Sequence, residues 1–320
     1  MPTMDPNRGA EGEPRVAKPY DFVPLSRQRP QSERPTGHDR YSGDLLSGTI
    51  QGTIVARSPV HVASGQLELT HSQPPLIKAH FRRQGQLTIP GSSLKGAIRS
   101  IVEAISQPAS CLRVIQNRYR HEAGNFRACT QPERLCVACR LFGAMGYLGQ
   151  VAFQDADLIE GESVVIESPP LFRPRSEAPL YRRNGFVRGR KFYKHGELAR
   201  GTVPLEACAP DSVFRLRVYF DNLSDAQLGL LLVALGQGDP GLMPKLGGGK
   251  PACLGSVAFE VTDLQTRSAL QSALQLNPRP TSLDVAAAAA VTRHIDTAAL
   301  QALAEILQYP GTGSCPAETY

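Results

Sequence analysis

Two hydrophobic periodicities alternate along this chain in one order, and that order narrows the folds open to it. From 47 to 62 the run SGTIQGTIVARSPVHV sets Ile50, Ile54 and Ala56 against polar neighbours and stops at Pro59, the two-residue period of a half-buried strand. Pro90-Gly91-Ser92-Ser93 then opens a run at helical spacing, Leu94, Ala97, Ile98, Ile101 and Val102, with Ser92 or Ser93 as the N-cap. Residues 150–159 (QVAFQDADLI) read as a second strand, and 212–221 (SVFRLRVYFD) as a third, apolar at Val213, Leu216, Val218 and Phe220. Ser224 caps a helix through Leu235, and a strand over 256–261 follows the glycine loop at 247–255. Strand, helix, strand, strand, helix, strand is the order of an α+β, ferredoxin-like sheet with insertions.

That frame occupies 44–263, and the rest is read around it. Residues 1–43 carry seven prolines and few aliphatics, too little apolar surface to fold alone, so they form an extended arm. Tyr20, Phe22, Val23 and Leu25 are an apolar knot expected to dock on the core or on a neighbour. Residues 64–87, with Pro74-Pro75, form a long loop or hairpin. Two insertions interrupt the frame, one bearing cysteines at 108–140 and one basic at 165–205. Residues 264–320 form an Ala-rich helical tail, a two-helix appendage with Ser282 and Thr297 as candidate caps and Pro310 as the stop.

Seven cysteines is an odd number, and no apolar run near the start resembles a secretory leader, so a secreted disulfide framework is not expected. The chain reads as a soluble protein of a reducing cytoplasm with no membrane partner, its apolar stretches falling short of the roughly 18 residues a span needs. The net charge of +6 is local: 173–194 holds eight basic side chains (Arg173, Arg175, Arg182, Arg183, Arg188, Arg190, Lys191 and Lys194) against Glu177 alone. Phe172, Tyr181, Phe186, Phe192 and Tyr193 are interleaved with them. Charge that follows a phosphate backbone, with rings that stack on bases, is the composition of a single-strand binding surface, although a solvated basic face has the same charge.

Three further clusters carry chemistry. Cys129, Cys136 and Cys139 supply three ligands for a tetrahedral zinc, two of them from one Cys-x-x-Cys turn. His121 is the nearest fourth ligand, Cys111 is the alternative, and Cys208 or Cys253 could come from elsewhere. The segment Ile89-Pro90-Gly91-Ser92-Ser93-Leu94-Lys95-Gly96-Ala97-Ile98-Arg99 gathers free amides, two hydroxyls, Lys95 and Arg99 at one helix start, which attracts phosphate. The same residues also make a plain capped helix. Neither this segment nor Leu246-Gly247-Gly248-Gly249-Lys250-Pro251-Ala252-Cys253-Leu254-Gly255-Ser256 satisfies a Walker loop, yet three successive glycines let a backbone approach a ligand closely.

Together these motifs resemble the RAMP superfamily, the RNA-binding subunits of type III CRISPR effector complexes. The matches are IPGSSLKGAIR at 89–99, CVACRLFG at 136–143 followed by QVAFQDA, and LGGGKPACLGSV in the glycine loop; PYDFVPL, HDRY at 38–41 and RGRKFYKH at 188–195 look like one branch. The likeness covers about 18–263. It implies an RRM-related palm that holds guide RNA, a zinc-stapled insertion, a thumb-like insertion, and partners in guide RNA, complementary target RNA and other subunits. It assigns guide contacts to Ser92, Ser93, Lys95, Arg99, Gly248, Gly249 and Lys250, and a thumb or guide contact to Arg188, Arg190, Lys191 and Lys194. Target-slicing members carry an aspartate after a stretch like His61-Val62-Ala63-Ser64-Gly65, where this chain offers only Glu68 before Ile89. The expectation is a scaffold without its own target cleavage. The competing reading is an endoribonuclease, either cutting with magnesium or manganese on Glu68 or processing guide RNA with His61, His71, His80 or His195.

Overall fold

The computed structural model describes residues 18–39, 41–70, 73–112, 125–171, 181–183, 186–269, 271 and 281–316. The arm contributes β1 (Tyr20–Pro24), followed by β2 (Leu46–Ala56), β3 (Ala63–Leu69), β4 (Leu76–His80), β5 (Arg82–Arg83) and β6 (Gln86–Ile89). Helices α1 (Gly91–Ile105) and α2 (Val137–Phe142) come next, then β7 (Val151–Phe153), β8 (Ala156–Glu160) and β9 (Ser163–Ser168). The remaining elements are β10 (Arg182–Arg183), β11 (Phe186–Val187), β12 (Gly189–Tyr193), β13 (Val203–Cys208), β14 (Val213–Leu223), α3 (Asp225–Ala234), β15 (Val257–Ser268), β16 (Thr281–Ser282), α4 (Val285–Ala289) and α5 (Thr297–Ile306).

The larger sheet runs β15-β2-β14-β8, every pair antiparallel, with β7 also on β14 and the small strands β16, β6 and β5 extending its edges. Numbered along the strand-helix-strand-strand-helix-strand pattern, this is the order four, one, three, two of a ferredoxin-like sheet. Ile50 and Ile54 of β2, Phe214 and Leu216 of β14, and Leu94 and Ile98 of α1 are buried together and form its core. Burial of each such side chain is worth about 1.5–3 kcal/mol, so the alternation that marks the strands is also what holds the sheet to its helices. On β14 the inward set is Phe214, Leu216, Val218 and Phe220, with Val213 only partly covered.

Several local expectations change for physical reasons. The strand expected over 150–159 breaks into β7 and β8 because Asp155 turns aside to accept the Gly91 amide at 2.8 Å. That carboxylate, and neither Ser92 nor Ser93, satisfies the start of α1, whose N-cap Pro90 makes no side-chain cap bond. The tail helices likewise use Asp284 and Asp296 as caps in place of Ser282 and Thr297, since a carboxylate both accepts amides and opposes the helix dipole. Ser224 does cap α3, in a full capping box with Gln227.

The tail is not an appendage: Ile295, Leu300, Leu303 and Ile306 enter the main core, and the Ile105 carbonyl at the end of α1 accepts the Asp296 amide. After its exposed first residue, Asp225, α3 is buried on all sides and largely apolar, between α1 and α4. A side chain at Gly229 of α3 would collide with the Val291 carbonyl, so glycine there lets the tail close over the helix. β15 runs on to Ser268, beyond the strand expected over 256–261.

A second sheet, β3-β4-β13-β9, is formed by the hairpin expected at 64–87 together with segments flanking the basic insertion. The arm is tied down through β1, antiparallel to β12 from Tyr20↔Tyr193 to Pro24↔Gly189, with Val23 fully buried. One disulfide, Cys253–Cys315, joins the glycine loop to the tail, a bond the odd cysteine count did not anticipate. Among the described residues no helix is long and apolar enough to cross a membrane.

Candidate metal centre and cationic cleft

Cys136 is the N-cap of α2 and Cys139 lies in its first turn, so both thiols project from one helix start. Cys129 comes from the loop before it and accepts the Cys136 amide at 3.4 Å, while Cys111 arrives from the segment after α1. The four sulfur atoms lie within 4.8 Å of one another. Cys111 stands 3.6 Å from Cys139 and 3.7 Å from Cys136, far beyond a disulfide bond. A tetrahedral ion with ~2.3 Å metal–sulfur bonds requires sulfur atoms ~3.8 Å apart, so the set suits a closed four-thiolate site. Cys111 is thus the fourth member of the cluster; His121 lies outside the described residues. Cys208 stands 3.9 Å from His80, and Cys253 is held in its disulfide, so neither joins the set.

The thiols compete for protons. Hydrogen bonds from Cys111, then from Cys129 and Cys139, hold the Cys136 thiol well below its ordinary value, whereas bonding to Cys129 and then Cys136 pushes Cys111 up. Four thiolates this close need a cation, and a divalent one leaves two negative charges. Two guanidiniums face them. Arg99 donates to Cys139 Sγ at 3.4 Å and to the Gly143 carbonyl at 2.8 Å, and Arg190 donates to the Ser110 and Cys111 carbonyls at 3.2 and 2.9 Å. Glu103 bridges the pair, 2.8 Å from Arg99 and 2.9 Å from Arg190, with all three side chains only 11–12% exposed. The sequence offered both arginines to RNA; the fold uses them to orient and neutralise the cysteine cluster. Outer partners of this kind are worth ~10–100-fold in metal affinity, so Arg190→Met should weaken metal retention by that factor in a chelator competition.

The other expected RNA contacts divide between two places. Ser92 is exposed, and Ser93 and Lys95 are half-buried, at the start of α1. The Asp155 carboxylate there takes the first amide that a phosphate would use. Arg173, Arg175 and His71 lie outside the described residues. Arg188 is exposed, 5.1 Å over the Phe22 ring, and Lys194 pairs with Asp21 at 3.7 Å. Lys191 is enclosed by Tyr20, Tyr193 and Tyr181, with ring centroids at 3.9, 4.5 and 5.1 Å, and it donates to the Tyr181 hydroxyl at 3.1 Å. These rings therefore pin the arm to β12 through one lysine instead of standing free for bases. Phe186 remains exposed.

The glycine loop folds back on the end of β2. Gly247 has φ +81°, and a side chain there would strike the His61 carbonyl, which accepts the Gly248 amide at 2.8 Å. Gly249, also left-handed, leads into a turn that starts at Lys250. Lys245 at the neck of the loop bridges to Ser256 and is 7% exposed, with no hydrogen-bond partner for its Nζ among the described residues. Burial, and then the charge of Lys250, push Lys245 down to about 7; burial, and then Lys18, push Lys191 to about 8. Lys191, Lys245 and Lys250 line one cleft between α1, β12 and the loop. Nothing in the sequence separates buried Lys245 from an ordinary surface lysine, except its place next to the glycine run.

The described histidines weighed as acid–base groups are buried and hydrogen-bonded. His80 accepts the Val62 amide on Nδ1 at 3.1 Å and faces Cys208 with Nε2; His195 bridges the Ser256 hydroxyl at 2.7 Å and the Met243 carbonyl at 2.9 Å. His61 is bonded through Nδ1 to the Glu206 carbonyl at 2.6 Å. Burial lowers all three, and it takes His80 and His195 from 6.5 to about 4. The unfolded chain therefore gains protons on these rings below 6.5 that the folded chain refuses until about 4, so stability is full above 6.5 and falls across that window. Urea midpoints should drop between pH 7 and pH 5, and His195→Asn should flatten the drop. Glu68 sits exposed on β3 opposite Ile77, and among the described residues only the cysteines gather as a metal-holding group.

A search of curated proteins finds no match to this chain. The family model of the RAMP superfamily matches residues 53–258, from β2 into β15. The chain belongs to the RAMP superfamily, and membership points to a CRISPR-associated role.

Proposed function

We propose that this chain is a CRISPR RNA-binding structural subunit of a type III antiviral effector ribonucleoprotein. It holds guide RNA, and through it the complementary target, beside other subunits in the cytoplasm, on a ferredoxin-like, RRM-related palm. The cysteine cluster carries one structural zinc that staples the 108–140 insertion to α1, and 165–205 acts as the thumb-like insertion. The observation that supports this beyond family membership is the cationic cleft at the glycine loop, lined by Lys191, Lys245 and Lys250 and, among the described residues, by no carboxylate.

Guide contacts then fall on Ser92, Ser93, Lys95, Arg188, Gly248, Gly249 and Lys250, with Lys194 beside them. The test is anisotropy of a labelled single-stranded RNA titrated with salt, where log affinity falls by about 0.7 per contacted phosphate for each decade of salt. A flat salt dependence, or equal preference for duplex DNA, would contradict the reading. The scaffold assignment carries its own expectation. In an assembled complex given matched target RNA and magnesium or manganese, Glu68→Ala should leave any target cutting unchanged; loss of the cut with binding intact would make Glu68 catalytic.

A further inference from the structure

The Cys253–Cys315 disulfide spans a sequence separation of 62 and joins two segments that little else holds. Both cysteines lie in a small core separate from the main one, where their buried neighbours are Ala199, Leu205, Ala207, Ala252 and Leu254. Only the two leucines there are large. The tail end, 311–316, has no large apolar side chain and is held by bonds to one residue. The Gly313 carbonyl accepts the Glu197 amide at 3.0 Å, the Cys315 amide donates to the Glu197 carbonyl at 3.1 Å, and the Ser314 hydroxyl donates to Glu197 Oε2 at 2.8 Å. On the other side of the bond, Cys253 has φ +68° and ends the turn that leads out of the glycine loop. Long bonds tie that turn down, from the Ala199 amide to the Ala252 carbonyl at 3.3 Å and from Ser58 Oγ to the Cys253 carbonyl at 3.2 Å. Gly196 lets the segments meet, since a side chain there would strike the Gly313 carbonyl and Cys253 Sγ.

The bond is buried yet reachable. Cys253 is 1% and Cys315 7% exposed, and both line a cavity of about 320 Å³ beside His195 and the end of α5. Lys18, Thr312, Gly313 and Ser314 form its exposed rim. Its charged lining is Lys18 and Lys194 against Glu305, one positive charge in excess, which draws in an anionic thiolate. That volume lies at the small end of the ~300–1,000 Å³ of ligand pockets, so it admits a compact thiol.

We propose that Cys253–Cys315 is a thiol–disulfide exchange site, opened and closed by a small anionic thiol of the glutathione class, and that it latches the glycine loop to the tail. The thiolate attacks the more exposed Cys315 Sγ, the sulfur–sulfur bond breaks, and its electron pair leaves on Cys253 Sγ. A second thiolate attacks the mixed disulfide, freeing Cys315 and releasing the small-molecule disulfide. Two small thiols are thereby oxidised, and the two protons they lose go to Cys253 and Cys315; the small-molecule disulfide drives the reverse.

The experiment holds the purified full chain, without RNA, in native buffers from reduced to oxidised glutathione, alkylates it in denaturant, and maps its peptides by mass. Linked 253–315 peptides should give way to two free thiols across the series, with glutathione on Cys315 at intermediate ratios. In the reduced form the amides of 252–254 and 313–315 should exchange hydrogen about tenfold faster or more, while β2 and β14 stay unchanged. Cys315→Ser should match the reduced form at every ratio. A bond that persists at every ratio until the chain is denatured is a fixed tie, and a pair that never links is no site. Either result, or reduction that leaves both segments exchanging as before, would overturn the proposal. Every readout is taken without RNA, so the latch stands or falls apart from the RNA-binding function proposed above.

Discussion

Cys136→Ser, or prolonged dialysis against a strong chelator, should unfold the region around α2 and lower the melting temperature of the whole chain. Structural zinc sites contribute ~10–16 kcal/mol of apparent binding energy at neutral pH in small metal-folded peptides, comparable with the ~5–15 kcal/mol that holds an average protein together. The cluster adds a covalent tie to elements that already share the main core. Cys111 leaves α1, Cys136 and Cys139 start α2, and Arg99 and Arg190 tie both to β12 through Glu103. Without the ion, the two guanidiniums lose the thiolate charge they face while remaining almost buried. Metal analysis of wild type should give about one zinc per chain. A value well below one, with melting unaffected by chelator or by Cys136→Ser, would refute the metal centre.

The second large effect concerns RNA. The triple charge reversal that composition suggests, at Arg188, Arg190 and Lys191, would damage the fold, because Arg190 holds Glu103 and the Cys111 carbonyl and Lys191 holds the arm. The informative set is Lys95, Arg188 and Lys250, which form no ion pair among the described residues. Reversing all three to glutamate should lower affinity for single-stranded RNA roughly tenfold or more and reduce the salt slope by about 2, three contacts at 0.7 each. Unchanged slope and affinity, in a triple variant that melts like wild type, would show that RNA, if bound, lies elsewhere.

The contrast between those two sets shows what the sequence discloses. Periodicity disclosed the βαββαβ frame because each central strand buries alternate residues, as Ile50 and Ile54 do on β2. It did not disclose β3, whose side chains are nearly all exposed and so carry no alternation. Cys129, Cys136 and Cys139 were legible as one cluster because two of them share a turn; Cys111 remained one of several candidates because only the packing of α1 against α2 brings it near. Charge was legible as a sum and illegible as a placement: Arg99 and Arg190 read like Lys95 and Arg188, yet the fold packs them against Glu103 and beside the cysteines, each only 12% exposed. Asp155 was invisible as a cap because its partner, the Gly91 amide, is far away in sequence.

The proposed scaffolding of CRISPR RNA can be tested by purifying the full chain from cells that express its effector partners and a CRISPR array, and sequencing the RNA that remains bound after a moderate-salt wash. Array-derived guide RNA should come with wild type at near-stoichiometric yield, and at much lower yield with the Lys95, Arg188 and Lys250 reversal variant. RNA unrelated to the array, or the same guide yield from both proteins, would contradict it.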